Sequence, residues 1–366
     1  MPSVISRSAE DRKASRYIIQ AKAKPYHLPT KPYSKRPYVQ PLIVKSLPTP
    51  QPTSGSIVLK ILFSPVISYM RDVYNGVRKY AYPNPLVPGT SAIARVAATG
   101  PDTVLLKVGD LVYFDCTIHG RDDYDSVFLM GLSQGGTEGS VKLMEGEWRE
   151  GTFAEFARVP LENVFKLDKE RLIGELGYEV PQLCWVLQAL VPYGGLRSIG
   201  LQAGETVVVA PATGEFGSAA VVVALAMGAR VIAMGRNKEA LEGLKRLGDR
   251  VHTVQMTGDA EAEMKELKKF VIMSLKRGGR VSLMGGLHDD LPIPHRYVMR
   301  RDITIKGKWM YLREDNLAFL SLITSGVLNV RDVVKVVGKF KLDDWEEAFQ
   351  LAWDNGRLGQ MVVFAP

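Results

Sequence analysis

The spacing of apolar positions changes character near residue 181. Before that point the apolar runs are short and strand-like. Residues 57–63 (IVLKILF) predict a strand, 108–114 (VGDLVYF) a turn and then a strand, and 153–159 (FAEFARV) alternate. Another short strand begins at 164–167. Short strands separated by Gly/Pro turns predict a small β-barrel or sandwich. Residues 25–55 are rich in Pro and Ser/Thr, with short apolar runs such as 42–44. Residues 117–151 are polar, charged and Gly-rich, a pattern expected of a lid or a disordered loop.

From 181 onward strands and helices alternate. A helix is expected over 181–199. The β-branched run 206–211 (TVVVAP) predicts a strand buried on both faces, and 216–227 (FGSAAVVVALAM) a small-residue helix closed by Gly228. The series continues with a strand at 230–234, a helix at 237–247, a strand at 251–256, a charged helix at 259–270 and a strand at 280–286. Next come a strand at 302–311 and a helix at 313–324, and finally strand, helix, strand over 333–340, 342–355 and 360–365. Such alternation implies a parallel doubly wound sheet with right-handed crossovers. One interval breaks the rhythm. After the 259–270 helix, a doubly wound unit needs a strand and a helix before the strand at 280. The nine residues 271–279 cannot supply both. Either the sheet is short of one strand or a segment is absent from this sequence; the second is favoured, because losing an interior strand exposes apolar sheet faces.

Composition narrows the class. A chain of 366 residues, 46% hydrophobic and 23% charged, suits two soluble domains. No apolar run approaches the ~18 residues needed to cross a bilayer, and no signal-peptide pattern opens the chain. Two cysteines, Cys116 and Cys184, are too few for a disulfide framework or a four-cysteine zinc site, so a reducing, cytoplasmic setting is expected. Both are expected to be buried small hydrophobes. The net charge is +8, but residues 1–36 alone hold nine basic and two acidic side chains. The excess therefore marks a basic N-terminal arm on a near-neutral body, not a nucleic-acid-binding surface.

The chemistry centres on the loop after the 206–211 strand, Ala212-Thr213-Gly214-Glu215-Phe216-Gly217. This is A-x-G-x-x-G, one Gly short of the usual dinucleotide fingerprint. Gly214 allows the backbone to approach a pyrophosphate and Gly217 allows close helix–strand packing. Ala212 can replace the first Gly while φ stays negative. The start of the following helix would face the pyrophosphate. The next strand ends Met234-Gly235-Arg236-Asn237-Lys238. An NAD site places a carboxylate there for the ribose 2′-hydroxyl, whereas Arg236 can clamp a 2′-phosphate and Lys238 can add a point charge. The expected cofactor is NADP(H). Gly285 and Gly286 end a parallel strand, where open α/β sheets bind ligands, and are expected near the nicotinamide half.

Residues 55–66, Pro88-Gly89-Thr90, Val108-Gly109-Asp110, 151–160 and 200–209 (GLQAGETVVV), in the order barrel, doubly wound domain, return to barrel, resemble the medium-chain dehydrogenase/reductase superfamily from about residue 38 to the end. The resemblance implies an α/β protein with a Rossmann doubly wound parallel sheet plus a GroES-like β-barrel catalytic domain. The expected boundaries are a basic arm at 1–36, the catalytic domain at 37–180, the Rossmann domain at 181–325 and a return to the catalytic domain at 326–366. Members with catalytic zinc carry ligands where this chain has Ile67 and Gly89-Thr90-Ser91, and neither Ile nor Thr is a usual zinc ligand. The chain is thus similar to the zinc-free branch of quinone oxidoreductases and enoyl or alkenal reductases, with no metal site expected. Tyr69 lies in the loop that faces the nicotinamide in that family and is a candidate proton or hydrogen-bond donor, or else a cleft-lining aromatic. Ser68, Arg71 and Tyr74 are candidates of the same kind, while Tyr193 is expected to pack and His119 to be solvated. The partners implied are a small-molecule substrate and a second copy of the chain, paired through the 302–311 strand. The alternative is an NADP(H)-fold protein repurposed for a non-redox or structural role.

Overall fold

The computed structural model describes residues 14–20, 42–256, 271–285 and 293–366. The first half is β-rich. In chain order it contains β1 (Ala14–Gln20), β2 (Leu42–Pro48), β3 (Ser56–Pro65), the short helix α1 (Met70–Tyr74), β4 (Ala92–Thr99) and β5 (Leu111–Phe114). Then come β6 (Thr117–His119), β7 (Val127–Leu129), helix α2 (Glu138–Gly146), β8 (Phe156–Pro160) and β9 (Val164–Lys166). The second half begins with α3 (Val186–Ser198), β10 (Thr206–Val209), α4 (Glu215–Ala226), β11 (Arg230–Gly235), α5 (Lys238–Lys245) and β12 (Val251–Gln255). It continues with β13 (Arg280–Leu283), β14 (Thr304–Gly307), the Arg313–Thr324 helix, β15 (Lys335–Phe340), the Trp345–Asp354 helix and β16 (Gln360–Phe364).

β15, β16, β3, β4, β5 and β9 run in that order across one sheet, with β8 also paired to β3. The last strands of the chain therefore return to the first, as the sequence order implies. β3 is buried along most of its length because it carries neighbours on both edges. The Phe153 and Phe364 rings meet edge to face at 4.7 Å, an arrangement favoured by the ring quadrupoles.

Two segments differ from expectation. β1 lies inside the basic N-terminal segment, yet it pairs antiparallel with β2 and buries Tyr17 and Ile18. The Ile18 amide bonds Phe153 O at 2.9 Å. Counting charges hid this apolar triplet, Tyr17-Ile18-Ile19. Residues 117–151 are not a lid. They form the β6–β7 hairpin and α2, and they bury Phe128, Met130, Leu132 and Met144. His119 accordingly is not solvated. It sits on β6, half-buried, 5.8 Å from the Tyr124 ring, and burial lowers its pKa.

The parallel half is split. β10, β11 and β12 form one sheet in the order β10-β11-β12, and β13 pairs only with β14. Among the described residues no strand lies between β10 and β13, and residues 271–273 are helical. The expected burial of the 206–211 strand on both faces fails for that reason. Thr206 is exposed, Val207 and Val208 are partly so, and only Val209 is buried. All four residues of β13 are likewise half-buried. Arg280 holds the halves in register, donating to Gly200 O at 2.9 Å and to both Glu205 carboxylate oxygens at 2.5 Å. The 302–311 strand is shorter than expected, because Asp302 (φ 51°) and Met310 (φ 57°) take left-handed conformations outside the two ends of β14. The expected 259–270 helix lies outside the described residues.

Candidate active site

The fingerprint loop takes the geometry that a dinucleotide requires. The Ala212 amide donates to Met234 O at 2.7 Å, which ties the loop to the end of β11. Thr213 lies directly over Gly235, where a Cβ would meet its methyl carbon at 2.4 Å. A Cβ on Gly217 would sit 2.1 Å from Pro211 O, so only Gly lets α4 start this close to β10. Gly214 is the helix N-cap, and the space where its side chain would be is open. Since Gly214 has no side chain to cap the helix, the first-turn N–H groups of α4 are left to a ligand on that open side. These observations fit the pyrophosphate of a dinucleotide.

Beyond Gly235 the chain exposes Arg236, Asn237 and Lys238. Asn237 caps α5, its Oδ1 accepting from the Ala240 amide at 3.0 Å. It is thereby committed to the helix. Arg236 and Lys238 have no carboxylate partner among the described residues, and the nearby Glu239 faces Arg357 at 3.5 Å. Two unpaired cations at a helix N-terminus oppose the helix dipole, whereas a phosphate there satisfies both. Gly285 ends the strand–loop after β13 with φ +76° and open space at its Cβ position. Gly286 lies outside the described residues.

Tyr69 is brought against the fingerprint. Its ring lies 6.2 Å from Phe216 and 6.4 Å from Tyr80, with the Arg78 guanidinium 4.2 Å above it. Burial holds the Tyr69 phenol well above its ordinary pKa, so it stays protonated. The other candidates from the same loop divide. Tyr74 is buried and donates to Gly131 O at 2.7 Å, a structural contact. Arg71 is packed under Trp353 at 3.6 Å and bonds Gln350 at 3.0 Å. Tyr193 packs on Phe319, and Cys116 and Cys184 are buried with thiols held protonated by burial, Cys116 pushed up to about 12. Ser68 is the one that reaches the site.

Ser68 leads to a residue that the sequence reading passed over. Its Oγ donates to Glu215 Oε2 at 2.8 Å, and its amide donates to the same oxygen at 3.2 Å. Gln188 Nε2, from α3, donates to Glu215 Oε1 at 2.9 Å. Glu215 opens α4 and occupies a spacer position of the fingerprint, which is why the motif gave it no weight. The available signal was a carboxylate placed where a polyanion is expected. Burial raises the Glu215 pKa, and the donors from Gln188 and Ser68 only partly offset this. The positions that matched zinc ligands are Ile67, Thr90 and Ser91, all buried. Ser91 Oγ is engaged by Tyr113 and the Cys116 amide.

Comparison with known proteins agrees with this layout. Residues 56–169 match the alcohol dehydrogenase GroES-like domain. The chain is 26% identical over 341 residues to an acryloyl-coenzyme A reductase of Metallosphaera sedula, covering 87% of this chain and 95% of that protein. An alcohol dehydrogenase of Geobacillus stearothermophilus is 25% identical over 346 residues, with 88% and 96% covered. Among solved structures, a crotonyl-CoA carboxylase/reductase, AntE, in complex with NADP superimposes with a TM-score of 0.70 at 15% identity, covering 96% of this chain and 95% of that one. A thermostable alcohol dehydrogenase from Pyrobaculum aerophilum gives 0.71 at 20% identity, with 97% and 100% covered. The architecture is an α/β pair, a doubly wound Rossmann half beside a GroES-like half.

Proposed function

We propose, on the match of residues 56–169 to the alcohol dehydrogenase GroES-like domain and the likeness to reductases and dehydrogenases along most of the chain, that the chain is a member of the medium-chain dehydrogenase/reductase superfamily and an NADPH-dependent reductase of an activated alkene, quinone or carbonyl compound, working without zinc. The observation that carries the reading is the pair Arg236 and Lys238, exposed and unpaired among the described residues, at the end of β11 where an NAD site would hold a carboxylate. Arg236 can take two oxygens of a ribose 2′-phosphate in a planar fork, and Lys238 adds a point charge.

The residues present fit a bound NADP(H). Thr213 and Gly214 would border the pyrophosphate and the first-turn amides Phe216 and Gly217 would bond it, while Ala212 shapes the turn and Asn237 anchors α5 behind Arg236. Gly285 lines the side of the cleft beyond β13. The nicotinamide, once bound, supplies a hydride. Tyr69, Tyr80 and Phe216 form an aromatic wall that keeps water from the reacting atoms, and the protonated Tyr69 hydroxyl can donate a hydrogen bond to an oxygen gaining charge. Ile67 and Thr90 offer no metal donor set, which supports the zinc-free reading. The resemblance to an acryloyl-coenzyme A reductase supports a conjugated C=C as the reducible group.

The domain boundaries follow from the same reading: a catalytic part to about residue 180, a cofactor part over 181–325, and a return over 326–366. We also propose a homodimer. The outer edge of β14 is unpaired among the described residues, and Trp309 beside it is 54% exposed. Pairing two such edges across a two-fold axis removes both. Light scattering that gives the mass of one chain at micromolar concentration would exclude this. The reductase reading is tested by following NADPH consumption with a panel of enoyl thioesters, enones, quinones and aldehydes. Turnover of NADPH by a conjugated acceptor is expected. A protein that binds NADPH but consumes it with none of the panel would overturn the assignment.

A further inference from the structure

Glu215 is the one carboxylate built into the fingerprint, and its surroundings are unusual for a charged group. No Lys or Arg forms an ion pair with it among the described residues. Its partners are neutral: Ser68 through amide and hydroxyl, and Gln188. Arg78 stacks on the Tyr69 ring, its guanidinium 4.2 Å from the ring centre. Tyr80 and Cys116 complete the group around Tyr69, and both α4 neighbours of Glu215, Phe216 and Gly217, are uncharged.

Two features let this pocket hold the protonated acid as well as the carboxylate. Gln188 is fully buried, and its Oε1 has no hydrogen-bond partner while its Nε2 serves Glu215. Turning the amide over places Oε1 where Nε2 now stands, in position to accept a hydrogen bond from a proton carried on Glu215 Oε1. An amide presents a donor on one side and an acceptor on the other at nearly equal size. The Ser68 hydroxyl rotates between donating and accepting in the same way. Neither state of Glu215 is left unsatisfied, so the proton can come and go without rearranging the backbone.

Building on the reductase reading above, we propose that Glu215 is the proton donor of this site, taking up a proton as the dinucleotide binds and delivering it to the substrate after hydride addition. The uptake follows from charge. The pyrophosphate brings two negative charges to the N-terminus of α4, and Glu215 is the first residue of that helix. Like charges this close disfavour the ionised carboxyl, and burial already acts in the same direction. The chemistry balances. NADPH is oxidised, and its hydride forms a C–H bond at the β-carbon of the conjugated acceptor. The π pair moves toward the α-carbon and carbonyl oxygen. The Glu215 O–H bond breaks, its electrons stay on the carboxylate, and the proton completes the second C–H bond. Water returns a proton to Glu215 when the next dinucleotide binds.

The test is calorimetry of NADPH binding in buffers of different ionisation heat, run on the wild-type chain and on Glu215→Gln, followed by pH profiles of reduction. The wild type is expected to take up as much as one proton between the free and bound pKa of Glu215. Glu215→Gln is expected to take up that much less and to bind NADPH at least as well at alkaline pH. It should reduce the acceptor about 100- to 1000-fold more slowly, without the alkaline fall in rate. NADPH binding by the wild type with no proton uptake would overturn the role of Glu215 alone, and needs no variant to fold. The same holds if Glu215→Gln reduces at the wild-type rate with the same alkaline fall. No NADPH binding by the wild type would overturn the reductase reading and this proposal with it.

Discussion

Replacing Arg236 with Ala isolates the contribution of the 2′-phosphate. In the structure the guanidinium is exposed and holds no carboxylate among the described residues, so the substitution breaks no ion pair. Stability should change by no more than ~0.5 kcal/mol, as for an ordinary surface site. A bidentate charged hydrogen bond to phosphate contributes about 1.5–3 kcal/mol, and exposure to solvent draws the figure toward the lower end. At about 1.4 kcal/mol per tenfold change in affinity, NADPH binding should weaken roughly 10- to 100-fold. NADH lacks the phosphate, and its affinity should stay within about twofold by the same conversion. Lys238→Ala should cost NADPH less than Arg236→Ala, since an ammonium cannot form the planar fork. Nicotinamide fluorescence titrations of the variant and the wild type with both dinucleotides measure the four constants. Equal loss for NADPH and NADH would refute the reasoning.

Three further outcomes are expected. Gly217→Ala puts a Cβ 2.1 Å from Pro211 O, so it should destabilise the fold by about 1–3 kcal/mol and weaken NADPH and NADH alike; a melting temperature equal to the wild type's would contradict the packing role. Asp115 is buried against Tyr311 and Asn316, and burial, only partly offset by its hydrogen bonds, raises its carboxyl from 3.8 to about 6. Its stabilising contribution is therefore complete below the unfolded value and lost as pH rises through about 6, a change of about 2–3 kcal/mol. Asp115→Asn should flatten that part of the stability–pH curve, and identical slopes in the two proteins would count against it. Arg280→Met removes the link from β13 to Gly200 and Glu205. It should quicken amide exchange in β13 and β14 about fivefold, from ~1 kcal/mol of partly exposed bonding, while β10 to β12 stay unchanged; uniform acceleration would mean that Arg280 is not a local tie.

Much of the fold was legible because strong local patterns met an ordinary environment. The helix expected at 313–324 coincides with Arg313–Thr324, and the run 57–63 falls within β3. The close start of α4 was legible for the same reason, since Gly217 answers to a backbone contact made within a few residues, with Pro211 O. Patterns failed where the environment was not ordinary. A β-branched run implies burial only if strands lie on both sides, and among the described residues β10 pairs only with β11. The interval at 271–279 was the readable sign of that gap. The six-residue run 127–132 (VFLMGL) marked a small core inside a stretch dismissed as polar. Glu215 was invisible for a different reason. Its partners Ser68 and Gln188 lie 147 and 27 residues away, and only the fold brings them together.

The split also bears on how the proposed cofactor would be held. On the proposed reading, the 2′-phosphate and pyrophosphate groups would rest on β10, β11, α4 and α5, which pack on one another. Binding on this account is therefore dominated by the adenosine half, through Arg236 and the start of α4.

The most direct measurement is titration of the purified wild-type chain with NADPH and with NADH, read by nicotinamide fluorescence. The account predicts saturable NADPH binding at least about tenfold tighter than NADH, the margin of one charged phosphate contact. Equal affinity for the two would contradict the assignment of Arg236, and binding of neither would contradict the cofactor site itself.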